Sequence, residues 1–176
     1  MIAANDVLCI VDCDYLYGKT RELYGDMARP AYPKLVDFLK AHRRAGLTYH
    51  LTAFMTIRQD AGNYGQLKLV SLLAKWGFEV QTGKMVYDTV ARTPTYRDNM
   101  TQKMIDYIKD FRCHQTDFPQ TLIVVSGNSF FADLYDALLH QGVDVEVYAF
   151  GELHIFLQEV GMTRYEMLDE TVLYLS

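Results

Sequence analysis

The chain has 176 residues, half of them apolar and 22% charged, with a formal net charge of −5. This balance predicts a single soluble globular domain, 1–176, large enough to bury a core without disulfide staples. It excludes a polybasic nucleic-acid binder, so contact with nucleic acid would need a local basic patch. No apolar run approaches the ~18 residues of a membrane span, and no basic-then-apolar leader opens the chain. Cys9, Cys13 and Cys113 are few and odd in number. Cys9 and Cys13 lie at a strand that reads as buried, so reduced core thiols and a cytoplasmic setting are expected.

Val7 to Val11 is a fully apolar strand closing on Asp12-Cys13-Asp14. Carboxylates at the end of a buried strand are costly unless solvated, capped or bound to a cation. Segment 15–32, rich in tyrosine, glycine and charge, reads as a loop or a short broken helix. Pro33 then opens a helix whose last turn is crowded by Lys40, His42, Arg43 and Arg44. That basic end suits the helix macrodipole better than a nucleic-acid patch. Leu47 to Met55 is a third strand, Arg58 to Asn63 a polar loop, and Tyr64 to Trp76 a helix with Leu67, Val70 and Leu73 at helical spacing.

Phe78 to Val80 is a short strand, and from Thr82 to Asp98 the pattern weakens into a hairpin extension or a mobile loop. Met100, Met104, Ile108 and Phe111 mark a helix with its methionines in the core. Thr121 to Phe150 is a βαβ unit, with strand Leu122–Val125, the turn Ser126-Gly127-Asn128-Ser129, a helix and strand 143–148. A helix over about 152–160 and a final strand 172–175 complete the chain.

Alternating strands and helices predict a three-layer α/β/α sandwich around a mostly parallel sheet of about five strands. Strands 7–11 and 121–125 are expected side by side at its centre. Their carboxyl ends would then gather Asp12, Asp14, Ser126 and Asn128 in one crevice.

Four phrases resemble the NYN domains, the LabA-like or DUF88 proteins of the PIN-like nuclease superfamily: Ile10-Val11-Asp12, Trp76-Gly77-Phe78-Glu79-Val80, Lys103-Met104-Ile105-Asp106, and Ser126-Gly127-Asn128-Ser129-Phe130-Phe131 with Leu134, Leu138, Gly142, Val145 and Val147 following. The resemblance implies hydrolysis of RNA, single-stranded by expectation, with Mg²⁺ or Mn²⁺ held by clustered carboxylates. It implies Asp12, Asp106 and Asn128 as catalytic residues. The metal ligands would be Asp12, Asp106, Asp14 and Asn128, and Ser126, Lys103 and Tyr15 would face the substrate. The chain departs from the family in having Asn128 and Phe130 where the last signature has Asp, and Tyr15 where Asn is frequent.

Those departures keep a second reading open, a pseudonuclease that binds RNA or a protein partner, with a homodimer among the arrangements expected. A third is a haloacid-dehalogenase-like phosphatase, with Asp12 as nucleophile and Asp14 as general acid. Against it, Asp-Cys-Asp-Tyr-Leu lacks the Gly-Thr that family carries, and no cap domain is evident. Tyr15, Tyr17 and Tyr24 either stack on bases or pack a loop.

Overall fold

The computed structural model of the chain describes residues 5–41, 43–60, 62–114 and 119–175. Its main sheet has seven strands in the order β5-β4-β3-β1-β6-β7-β8, where β1 is Asp6–Asp12, β3 Thr48–Arg58, β4 Glu79–Asp88, β5 Thr93–Tyr96, β6 Thr121–Val125, β7 Asp144–Phe150 and β8 Arg164–Leu168. Every neighbouring pair is parallel except β4 with β5. The strands from Val7 and from Thr121 are adjacent at the centre as expected, with Val11 beside Val125.

Alternation along the central strands separates two cores. Val7, Cys9, Val11, Ile123 and Val125 face one side, where α2 (Tyr32–Lys40) and α3 (Tyr64–Lys75) pack. Leu8, Ile10, Leu122 and Val124 face the other, under α4 (Met100–His114) and α5 (Ala132–His140). These strands are apolar throughout because both faces are covered. Cys9 and Cys13 are free and buried, and burial pushes both thiols up to about 12, so they are inert core groups. The side chain of Cys113 lies outside the described residues.

Several expectations from the sequence are corrected. The sheet has seven strands rather than about five, because the 82–98 stretch is a hairpin and Arg164–Leu168 adds an edge strand. Segment 15–32, read as a loop or a short broken helix, contains most of a regular 12-residue helix, α1 (Cys13–Tyr24). Only Cys13, Leu16 and Thr20 of it are buried, so its apolar stripe is too thin to stand out. The helix near 152–160 shrinks to one turn, α6 (Ile155–Gln158). The last strand, β9 (Leu173–Tyr174), does not join the main sheet but pairs antiparallel with β2 (Arg29–Pro30).

The basic end of α2 behaves as a structural cap. Arg43 Nε donates to the Leu39 carbonyl at 2.7 Å, and its guanidinium is paired with the buried Glu146 carboxylate. Lys40 Nζ lies over the Tyr49 ring at 4.8 Å. His42 lies outside the described residues.

Candidate metal and nucleic-acid site

After β1 the chain builds outward through β3 and β4, then crosses back to β6 on the other side of β1. The reversal opens a crevice at the carboxyl ends of these strands, where open α/β sheets bind ligands. There a cleft of ≈ 1060 Å³ is lined by Asp12, Asp14, Tyr15 and Asn128, and by residues of the hairpin and of α4.

Asp12 forms the floor and is 6% exposed. Its Oδ1 accepts the Tyr15 N–H at 3.0 Å, capping α1, and its Oδ2 accepts the Ser126 hydroxyl at 2.9 Å. Burial pushes its carboxyl up to about 6; the Asp14 charge adds to this, while the bonds from Tyr15 and Ser126 work against it. Asp14, in the first turn of α1, takes the Thr56 N–H at 3.0 Å and the Thr56 hydroxyl at 2.6 Å. That contact fastens α1 to β3 and orients the second carboxylate.

Asn128 follows β6. Its Oδ1 accepts the Phe130 N–H at 3.0 Å, capping the single 3₁₀ turn Ser129–Phe131. Its Nδ2 donates to Thr101 Oγ1 at 2.8 Å and its N–H to Ser126 Oγ at 3.2 Å. Ser126 is fully buried and relays between Asn128 and Asp12. Gly127 is required by close approach, since a Cβ there would lie 2.9 Å from the Tyr15 hydroxyl. That hydroxyl accepts the Phe150 N–H at 3.0 Å, so Tyr15 buttresses the ends of β1, β6 and β7.

Lys103 and Asp106 are not brought into the cleft. Lys103 Nζ donates to the Thr82 carbonyl at 2.7 Å, and the exposed Asp106 accepts the Gln102 side-chain amide at 2.8 Å. Sequence reasoning missed Arg97, Asp98, Thr101 and Gln66, all of which line the cleft. Asp98 accepts the Lys84 N–H at 2.7 Å, and Asn99 caps α4 through the Gln102 N–H at 3.1 Å. The adjacent Asp98-Asn99, just ahead of a helix, was the available signal. Among the tyrosines, Tyr17 is half exposed in the cleft, while Tyr24 packs edge-on against Phe150 at 6.0 Å.

Among the described residues no three His, Cys, Asp or Glu side chains are grouped to hold a metal ion. Asp12 and Asp14 are two carboxylates lining one cleft, and Mg²⁺ is commonly held by one or two carboxylates with water and phosphate completing its shell. A cation there would offset the burial and mutual repulsion that raise the Asp12 carboxyl.

The seven-stranded, mainly parallel sheet between two helical layers is an α/β sandwich consistent with the PIN-like architecture, with a paired-acid crevice at its switch point. The NYN domain family model matches residues 7–163, and the chain belongs to that family. The phosphatase reading of Asp12-Cys13-Asp14 therefore gives way to a NYN one. A crystal structure of a protein of unknown function from Vibrio parahaemolyticus has the same fold, with a TM-score of 0.73 at 17% identity over 99% of each chain. No curated protein matches the sequence significantly. Among the described residues no helix is long and apolar enough to cross a membrane.

Proposed function

We propose that the chain is an endoribonuclease of the LabA-like (DUF88) kind that acts on single-stranded RNA with a reduced, one-cation acidic site. The observation that carries this reading is that Asp12 and Asp14 line the same large cleft. When bound there, Mg²⁺ or Mn²⁺ supplies positive charge opposite the phosphate and activates the attacking water. Asp12 and Asp14 would hold it. Ser126 fixes the orientation of the Asp12 carboxylate toward that cation. Arg97 offsets phosphate charge, and the exposed rings of Tyr17 and Tyr96 offer stacking faces to unpaired bases.

The pseudonuclease reading is favoured by one specific observation, the lack of a third convergent acid among the described residues. Cleavage of a labelled single-stranded RNA in Mn²⁺ separates the two. Cleavage by the wild type, lost in Asp14→Asn and kept in Asp106→Asn, supports the nuclease. RNA that is bound but left intact supports the pseudonuclease, and cleavage that depends on Asp106 would overturn the assignment of roles.

A further inference from the structure

We propose that the chain pairs with a second copy of itself through the outer edge of β8, joining two seven-stranded sheets in antiparallel register about Tyr165. This inference is independent of the nuclease reading.

The two edges of the sheet differ. At one end β5 carries Pro94, which removes a backbone donor and is a common guard against edge pairing. At the other end, β8 reads Arg-Tyr-Glu-Met-Leu with no proline, no lysine and no bulge, and no strand among the described residues covers its outer side.

Which backbone groups face outward follows from β7. The Asp144 N–H donates to the Gln120 carbonyl at 2.8 Å on the β6 side, while the Val145 N–H donates to Thr163 Oγ1 at 3.1 Å on the β8 side. Even residues of β7 thus serve β6, and odd residues serve β8. In the register of β7 with β8, Val147 lies beside Tyr165 and Tyr148 beside Glu166. An odd residue of β7 bonds to the two flanking neighbours of its partner. The N–H and C=O of Arg164 and Glu166 therefore turn inward, and those of Tyr165 and Met167 turn outward.

Charge then selects the register. An antiparallel copy centred on Tyr165 places that residue opposite itself as a hydrogen-bonded pair. Arg164 then stands opposite Glu166 of the partner subunit, twice, as non-hydrogen-bonded pairs whose side chains are closest. A shift by two partner residues, the next that keeps outward-facing backbone groups opposite one another, puts Glu166 or Arg164 against its own like charge. Both side chains are 44% exposed and already meet within one strand at 3.7 Å.

The opposite face of the same strand is apolar. Tyr165 and Met167 line a groove of ≈ 640 Å³ with Leu153, Leu157, Val160 and Met162, and Met167 is 53% exposed. The two-fold axis would set two such grooves edge to edge. Backbone bonds, matched charges and apolar cover therefore coincide on one edge.

Sedimentation equilibrium of the full chain over a range of concentrations tests this. A dimer is expected for the wild type. Arg164→Glu and Glu166→Arg should each weaken it by at least about tenfold, since like charges then face across the axis. The double exchange should restore it. Thermal melts confirm that these exposed substitutions leave the fold intact. As a second readout, an oxidised mixture of Arg164→Cys and Glu166→Cys proteins should form a cross-linked heterodimer that neither forms alone. A wild type that stays monomeric, or a double exchange that fails to restore association, overturns the proposal.

Discussion

The Ser126 hydroxyl donates to the Asp12 carboxylate at 2.9 Å across the central strand pair, and both groups are buried. The same oxygen receives the Asn128 N–H at 3.2 Å, so one small side chain holds the acid and the turn that follows β6. Ser126→Ala leaves a buried carboxylate oxygen and a backbone donor unpaired. A loss of about 1.5–3 kcal/mol is expected, as for bonds to charged groups. Urea denaturation at pH 7 measures it, and an unchanged midpoint would show that Ser126 does not support Asp12.

Asp12 itself works against stability at neutral pH. Its carboxyl is raised from an ordinary 3.8 to about 6, so between these values the folded state binds the proton more tightly than the unfolded chain does. The protonated form therefore favours folding, and this residue's contribution falls as pH rises from 3.8 through 6, then stays level. Asp12→Asn keeps a helix-capping oxygen without the buried charge. It should raise stability by roughly 1–3 kcal/mol at pH 7.5 and by much less at pH 4. Melts of both proteins at the two pH values check the sign, and the variant should have lost RNA cleavage. Mn²⁺ should stabilise the wild type and not the variant.

Phe130, at the position where the family's last signature has an acid, is 79% exposed. Its replacement therefore costs little packing, and Asn128→Asp with Phe130→Asp should fold normally. Adding two carboxylates to the turn after β6 should tighten Mn²⁺ binding by tenfold or more, because hard cations depend on carboxylate oxygen. Calorimetric titration measures the gain, with a thermal melt as control. A well-folded double variant with unchanged affinity would mean that the turn after β6 does not face the cation.

Arg43 and Glu146 form a largely buried ion pair, hydrogen-bonded to Tyr148, at the other end of the sheet, their side chains 11% and 10% exposed. Removing one partner strands the other, so Arg43→Met should cost about 3 kcal/mol. Removing both should cost far less. Chemical denaturation of the single and double variants gives the coupling directly, and additive losses would show that the pair does not act as a unit.

The central layer was legible from local sequence pattern alone. Val7–Val11 and Leu122–Val125 are unbroken β-branched and apolar runs, which only strands covered on both faces tolerate, and their pairing follows from α/β winding. Asp12 and Asn128 were legible for the same reason, as polar residues ending buried strands. Helix α1 was not, because its formation rests on the Asp12 cap and on packing of Cys13, Leu16 and Thr20 rather than on a strong apolar stripe.

The membership of the cleft was decided by tertiary structure. Asp106 shares α4 with Thr101, yet Thr101 reaches Asn128 while Asp106 stays exposed beside Gln102. Helix rotation sets that difference, and sequence spacing cannot assign it without knowing which face meets the sheet. Asp98 and Arg97 enter because β4 runs on past Val80 and pairs with β5, carrying its far end over the carboxyl ends of the strands. The edge strand β8 was hidden likewise. Its polar alternation gains meaning only from the neighbour that supplies its hydrogen bonds.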